Sequence, residues 1–277
     1  MIAARKSARF ERWFAGQAQQ RMARTFRDLR IAGLEETRAL AARGPLLIVA
    51  NHTSWWDALY VLVLSQRLLA VDGYAFMEGE NLRRLPFFAK VGAFGVDTRV
   101  PGDAAAGVRH AARLLDRAGR VVWIFPQGRE RPITERPPRF ERGARTIARL
   151  ARGARTVPLA LRYEFGEDER PTAWASFGPP LPVEEGLARD AHQHQARAVE
   201  GELDRIERAV RAALPAPLSG PGAPSGSEVL ASVDEGRPFV ILPGRPPSAW
   251  AALATRILAW LTRPHRAPLP AGGPARR

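Results

Sequence analysis

The sequence predicts an α/β protein with a mixed sheet flanked by helices, preceded by an N-terminal amphipathic helical segment. Short apolar runs typical of buried strands alternate with stretches of helical periodicity, and this alternation indicates a sheet covered on both faces. The chain has 277 residues, 45% of them hydrophobic, which is enough for one sizeable core. The predicted strands are residues 45–51, 73–77, 93–97, 121–125 and 156–163, with an outer strand at 172–177, and the predicted helices are residues 55–68, 104–118, 140–152 and 192–214.

Changes of composition divide the chain into four segments. Residues 1–44 form the amphipathic helical segment, in which apolar residues fall at three- and four-residue intervals among arginines. Residues 45–214 form the compact domain, and residues 215–227, rich in Pro, Gly and Ser, form a linker. Residues 228–277 form an apolar helical tail. Each terminal segment either lies on a membrane surface or packs on the domain.

Composition excludes several kinds of chemistry. The sequence contains no cysteine, which rules out thiol nucleophiles, disulfides and iron–sulfur ligation. Its formal net charge of +14 comes almost entirely from arginine and attracts nucleic acid, acidic lipid or phosphorylated substrates. A GC-rich genome produces the same preference for arginine over lysine, so the charge alone identifies no partner.

No segment is predicted to cross a membrane or to direct export. The longest apolar runs, residues 46–50 and 59–64, are far shorter than the roughly 20 residues that span a bilayer. The start of the chain lacks the hydrophobic region of a secretory signal. We therefore expect a peripheral protein at the cytoplasmic face of the membrane.

A histidine and a carboxylate lie at the first strand-to-helix turn of the predicted domain. His52 follows the buried strand, and Asp57 lies in the first turn of the next helix. Ligands of open α/β sheets gather at the carboxyl ends of strands, where helix N-termini also offer free N–H groups. A carboxylate that holds one ring nitrogen of a histidine fixes its tautomer, and the other nitrogen can then take a proton from a hydroxyl. The pair is thus a candidate general base with its orienting group.

Four short segments stand out over roughly residues 45–165 of the sequence. They are Asn51-His52-x4-Asp57, residues 92–99 (GAFGVDTR), residues 125–128 (FPQG) and residues 157–161 (VPLAL). In their order and approximate spacing, these segments resemble the motifs of the glycerolipid acyltransferase family, typified by the lysophosphatidic acid acyltransferases.

The resemblance implies a reaction and a role for each motif. His52 would remove the proton from an acceptor hydroxyl, which attacks the thioester of acyl-CoA or acyl carrier protein, and Asp57 would orient His52. No metal or other cofactor is implied, and the absence of cysteine suits a transfer without an acyl-enzyme. Arg99 occupies the position of the family's phosphate-binding arginine, and the guanidinium fork suits phosphate.

The third motif departs from the family pattern. The family usually has Phe-Pro-Glu-Gly-Thr-Arg, whereas this chain reads Phe-Pro-Gln-Gly-Arg-Glu-Arg over residues 125–131. A neutral amide therefore replaces a carboxylate. Arg129 or Arg131 would replace the missing arginine, and Glu130 would restore the carboxylate from a shifted position. The change leaves two acceptors open, a lysophospholipid or related glycerolipid, and an unphosphorylated glycosylated lipid or carotenoid. The predicted substrate-binding residues are Asn51, Arg99, Gln127, Gly128, Arg129 and Arg131.

Two further features suggest no separate function. His192 and His194 resemble a metal pair but have no supporting ligands nearby in sequence, so we expect an exposed helix start. The arginines of residues 129–155 lack interleaved aromatic residues other than Phe140, and a phosphate-rich donor or anionic lipid explains them at least as well as nucleic acid. The alternatives to an enzyme are a lipid-binding protein without turnover and a nucleic-acid-binding protein.

Overall fold

An eight-stranded mixed sheet forms the centre of the protein. The computed structural model describes residues 1–97, 99–100, 102–166, 168–213 and 237–245. The order of strands across the sheet is β4-β3-β5-β2-β6-β7-β1-β8. The strands are β1 (Asp28–Ala32), β2 (Leu46–Ala50), β3 (Asp72–Glu78), β4 (Ala93–Val96), β5 (Arg120–Ile124), β6 (Arg155–Glu164), β7 (Thr172–Phe177) and β8 (Val240–Pro243).

The sheet is parallel around its central strand and antiparallel at two pairings. Strand β2 pairs in parallel with β5 and β6, and β3 pairs in parallel with β4 and β5. Strands β6 and β7 are antiparallel, β1 is parallel to β7, and β8 is antiparallel to β1. All five residues of β2 are apolar and buried, as expected of a parallel strand with helices on both faces. The predicted α/β fold with a mixed sheet is therefore confirmed.

Helices cover both faces of the sheet and divide the core into two layers. Helices α1 to α3 pack on one face around Ile48 and Trp123, and α5, α6 and α8 pack on the other around Val49 and Val122. Residues 64–69 continue α3 as a π-helical turn, and residues 86–91 form a 3₁₀ helix. The α-helices are α1 (Ala8–Thr25), α2 (Leu34–Arg43), α3 (Trp56–Val63), α4 (Gly79–Arg84), α5 (Asp103–Leu114), α6 (Gly143–Leu150), α7 (Val183–Leu187) and α8 (Ala191–Ala213).

The N-terminal helix is present, and its aromatic side chains reach the core. Met22 is buried, and Phe14 makes an edge-to-face contact with Phe88 at a centroid distance of 6.1 Å. Trp13, in contrast, is 57% exposed. The core-packing alternative is therefore observed for α1, while membrane contact stays a prediction. Within the described residues, no helix is both long and apolar enough to cross a bilayer.

Three sequence predictions about the edge of the domain are wrong. Strand β1 lies inside the N-terminal segment predicted to be helical, and β8 forms within the predicted helical tail. Strand β7 is internal, between β6 and β1, rather than an outer strand. In β1 the charged residues Asp28 and Arg30 bond to each other at 3.2 Å, and Arg30 lies over the Trp174 ring, so a strand with two charged side chains is buried.

The two C-terminal segments predicted from composition are described only in part. The described residues up to Gly244 belong to one compact unit. The predicted linker, residues 215–227, and the predicted tail apart from residues 237–245 lie outside the described residues.

Candidate active site

The end of β2 is fixed to β6 by the side chain of Asn51. Its amide nitrogen donates to the Leu161 carbonyl, and its amide oxygen accepts from the Leu161 N–H, both at 2.8 Å. Asn51 is only 1% exposed. The prediction that Asn51 binds substrate is therefore wrong, because the buried amide is engaged with the backbone. Asn51 instead sets the position at which the chain leaves the sheet toward His52.

His52 and Asp57 form a hydrogen-bonded pair at the N-terminus of α3. The Nδ1 atom of His52 lies 2.7 Å from Oδ2 of Asp57. The same oxygen accepts from the backbone N–H groups of Thr53 at 2.8 Å and Ser54 at 3.0 Å. Asp57 has no solvent exposure. An ionised carboxylate only accepts hydrogen bonds, so Nδ1 carries the ring proton and Nε2 is left to accept one.

Tyr163 is a third member of this network that the sequence did not reveal. Its hydroxyl donates to Oδ1 of Asp57 at 2.7 Å, from a position 106 residues later in the chain. Burial, and then the negative charge of Asp57, raise the pKa of Tyr163 well above its usual value, so it remains a donor. Its ring stacks on Phe26, which contacts Trp56 edge to face. Both oxygens of Asp57 thus have fixed partners.

The third motif is hydrogen-bonded to the backbone of His52. Gln127 Oε1 accepts from the His52 N–H at 2.6 Å, and the Arg131 N–H donates to the His52 carbonyl at 2.8 Å. The Phe125 ring lies 4.6 Å from the imidazole, between centroids. An amide and a carboxylate both offer an oxygen to the His52 N–H, so glutamine preserves this contact while removing the charge.

A cavity of about 970 Å³ opens beside His52. The pairing of β3 with β5 ends at Ala75 and Trp123, so the two strands separate at the sheet edge that carries His52. The third motif contributes Gly128, Arg129 and Glu130 to the cavity lining. Most of the remaining lining is apolar, for example Ala58, Val61, Leu62, Met77, Phe88 and Val91.

The predicted substrate residues differ in their access to this cavity. Gly128 and Arg129 line it, and Gly128 has a φ of +72° with open space around it. Gln127 and Arg131 do not belong to the described lining. The Gln127 side chain accepts from the His52 N–H, and the Arg131 side chain lies 3.6 Å from Glu135. The structure therefore brings His52, Gly128 and Arg129 together on one cavity.

Arg99 is held by carboxylates at the protein surface. Its Nε donates to Asp97 at 3.1 Å and a terminal nitrogen donates to Glu80 at 3.3 Å. The hydrogen bonds from the side chain and then the backbone of Arg99 hold the pKa of Asp97 far below its usual value. Arg99 is exposed, and it does not belong to the described lining of the His52 cavity. A phosphate bound by Arg99 would compete with these two carboxylates.

The described residues contain no group of three side chains suited to a metal ion. His192 and His194 lie in the first turn of α8, where His194 pairs with Glu185 at 3.4 Å and Asp190 at 3.5 Å. The expected helix start is therefore observed at these two histidines, each of which is partly exposed.

Comparisons with known proteins define the class of enzyme. Residues 28–162 match the family model Acyltransferase. The fold is similar to that in the crystal structure of the 1-acyl-sn-glycerophosphate (LPA) acyltransferase, PlsC, from Thermotoga maritima, with a TM-score of 0.53 and 14% sequence identity. The similarity covers 71% of this chain and 80% of that one. No curated protein sequence matches significantly.

The chain is thus an enzyme of the acyltransferase class. Residues 28–162 match the acyltransferase family model, and the resemblance to glycerolipid acyltransferases predicted from the motifs is confirmed by that match together with the shared fold. The assignment to a branch with an FPQG third motif stays a prediction.

Proposed function

We propose that this enzyme transfers a fatty acyl group from acyl-CoA or acyl carrier protein to the hydroxyl of a lysophospholipid or related glycerolipid at a membrane surface. The observation that carries the proposal is the His52–Asp57 pair at a large, mainly apolar cavity. The volume and apolar lining suit a fatty acyl chain, whose burial contributes about 0.8 kcal/mol per CH₂ group. The similar PlsC structure is that of a 1-acyl-sn-glycerophosphate (LPA) acyltransferase, a name that specifies such an acceptor.

In the proposed mechanism, His52 acts as a general base and then as a general acid. Nε2 takes the proton of the acceptor hydroxyl as its oxygen attacks the thioester carbonyl. The new C–O bond forms, the C–S bond breaks, and the proton on Nε2 passes to the departing sulfur. Asp57 remains ionised and stabilises the transient imidazolium through the 2.7 Å contact to Nδ1. The reaction requires no covalent enzyme intermediate.

A second acceptor, an unphosphorylated glycosylated lipid or carotenoid, is favoured by one specific observation. Arg99, the residue predicted to bind phosphate, is already bonded to Asp97 and Glu80. Arg129 of the third motif, which lines the cavity, is then a candidate for binding a phosphorylated acceptor. If the acceptor is neutral, neither arginine needs a phosphate partner.

Product analysis distinguishes the two acceptors. Purified enzyme is incubated with labelled acyl-CoA and a membrane lipid extract, and the labelled product is identified by mass. Lysophosphatidate and a monoglycosylated lipid are then compared as single acceptors. A labelled phospholipid supports the main proposal, and a labelled glycolipid supports the second. The absence of a labelled lipid product with acyl-CoA and with acyl carrier protein would contradict both.

Two exposed tryptophans support the membrane-surface part of the proposal. Trp13 on α1 is 57% exposed, and Trp55, just before α3, is 51% exposed. The Arg21 guanidinium of α1 lies 5.1 Å from the centre of the Trp55 ring. Aromatic rings enter the lipid interface, and each nearby arginine adds on the order of 1 kcal/mol at an anionic surface.

Vesicle sedimentation tests this surface. The enzyme should sediment with anionic vesicles at low salt, and added salt should weaken binding without abolishing it. Replacing Trp13 and Trp55 by serine should release the protein into the supernatant. The matched control is Leu150→Ser, at the far end of α6, where an apolar residue is 54% exposed. Equal sedimentation of the parent and both variants would remove these residues as the anchor.

A further inference from the structure

A second cavity, of about 670 Å³, lies at the start of two helices on one face of the sheet. Its described lining consists of polar and charged residues and contains three guanidinium groups against one carboxylate. These residues are Arg142, Arg145, Arg189, Asp190, His192 and Gln193. An excess of positive charge in a concave, polar site favours an anion rather than an acyl chain.

The helix starts add to this positive potential. Helix α6 begins at Gly143 and α8 at Ala191, so both N-termini lie at the cavity. Neither helix has an acidic residue in its first turn, whereas each of the other described α-helices has one. The free N–H groups and partial positive charge of a helix start are therefore uncompensated there by the helix's own side chains.

Several donors at the cavity are free to bind a ligand. Within the described part of the chain, the guanidinium groups of Arg142 and Arg189 have no hydrogen-bond or ion-pair partner. Arg145 donates through one terminal nitrogen to the Arg189 carbonyl, but its Nε is buried without a partner, as is Nδ1 of His192. In contrast, Arg136 is paired with three acidic residues of α8. Buried donors without a protein partner need a ligand or water to bond to.

This cavity shares a residue with the catalytic one. Arg142 lines both cavities, and Gly143 and Ala144 of α6 also line the one that contains His52. We propose that the arginine cavity binds the nucleotide phosphates of coenzyme A while the acyl chain of the same donor occupies the apolar cavity. This inference rests on the proposed function, and it selects acyl-CoA among the possible thioester donors.

Shape and polarity favour this ligand over other phosphates. A concave site of this volume accommodates a small polyanion, whereas a carrier protein would contact a broader surface. A lipid acceptor would bring apolar chains, and the described lining of this cavity contains no apolar side chain. Arginine forks bind phosphate through paired, charge-assisted hydrogen bonds, which suit a nucleoside with several phosphate groups.

Binding of adenosine 3′,5′-bisphosphate, measured by calorimetry, tests the site without any turnover. The double variant Arg142→Gln, Arg189→Gln should bind this probe at least about tenfold more weakly, because two charge-assisted contacts are lost. The matched control Arg149→Gln, Arg152→Gln removes the same charge from exposed positions on and just after α6. Its affinity should stay within about twofold of the parent. Glycerol 3-phosphate should bind the parent much more weakly than the nucleotide.

A donor without phosphates separates this proposal from the proposed function. The ratio of kcat/KM for acyl-CoA to that for an acyl-N-acetylcysteamine thioester should fall about tenfold in the Arg142, Arg189 variant. It should stay unchanged in the control. If the parent binds the nucleotide but transfers from neither donor, the proposed function fails and the site stands. Failure of the parent to bind the nucleotide, or equal affinity in the parent and the double variant, would overturn the site.

Discussion

Two regions of the molecule differ in how completely their polar groups are bonded. In the catalytic turn, residues 51–57, Asn51 is bonded to β6, and both oxygens of Asp57 have partners. At the arginine cavity, by contrast, the guanidinium groups of Arg142 and Arg189 have no described partner. The difference separates two tasks. In the proposed mechanism the fixed geometry would serve the proton transfer, and in the proposed donor site the unpaired donors would serve recognition.

The largest effect is expected in the catalytic turn. Asp57→Asn should lower kcat by about 10²- to 10⁴-fold, because the amide cannot accept hydrogen bonds at both of its polar atoms or stabilise the imidazolium. Steady-state kinetics with acyl-CoA and the identified acceptor measure this change. Circular dichroism must show an intact fold. A variant within threefold of the parent would show that the bonded turn is not the catalytic centre.

A smaller effect on kcat is expected at Tyr163, which contacts Asp57 rather than His52. Tyr163→Phe should lower kcat about tenfold with little change in KM, because one hydrogen bond to the buried carboxylate is lost. Tyr60→Phe is the matched control. Tyr60 is also buried, but its hydroxyl has no described hydrogen-bond partner. Equal kcat values for the two variants would remove Tyr163 from the positioning network.

Substitutions of Gln127, whose side-chain oxygen accepts from the His52 N–H, test whether charge or hydrogen bonding matters at this position. Gln127→Glu should keep kcat within about threefold, since a carboxylate oxygen can also accept from the His52 N–H. Gln127→Ala should lose several-fold more, because that contact disappears. If both variants lose the same activity, the amide nitrogen of Gln127 has a role of its own, and the hydrogen bond from the His52 N–H does not explain the residue.

The smallest effect is expected at Arg99. Because Asp97 and Glu80 already hold this side chain, Arg99→Ala should raise the KM for lysophosphatidate only about two- to threefold and leave a neutral acceptor unaffected. A rise of about a hundredfold with lysophosphatidate alone would instead identify Arg99 as the phosphate clamp implied by the family resemblance.

The sequence predicted those features that depend on nearby residues. The apolar run of β2 identified a buried strand, and His52 and Asp57 could be paired because they lie within one turn of the chain. Strand β1 was missed because Asp28 and Arg30 interrupt its apolar pattern, although they neutralise each other inside the fold.

The missed parts of the site are formed by residues far apart in the chain. Tyr163 reaches Asp57 because β6 lies beside β2, and no local pattern encodes that neighbour. The arginine cavity likewise requires the starts of α6 and α8 to meet. Asn51 was given a substrate contact because it adjoins His52, but its side chain points to the Leu161 backbone.

The most direct test of the central claim compares the parent enzyme with His52→Ala in a single-turnover reaction with labelled acyl-CoA and the identified acceptor. The account predicts labelled lipid and free CoA from the parent, no labelled protein in acid-quenched samples, and a rate at least about 10²-fold lower for His52→Ala in a folded protein. Transfer by His52→Ala at the rate of the parent, or label that accumulates on the protein before it reaches the lipid, would contradict direct transfer with His52 as the base.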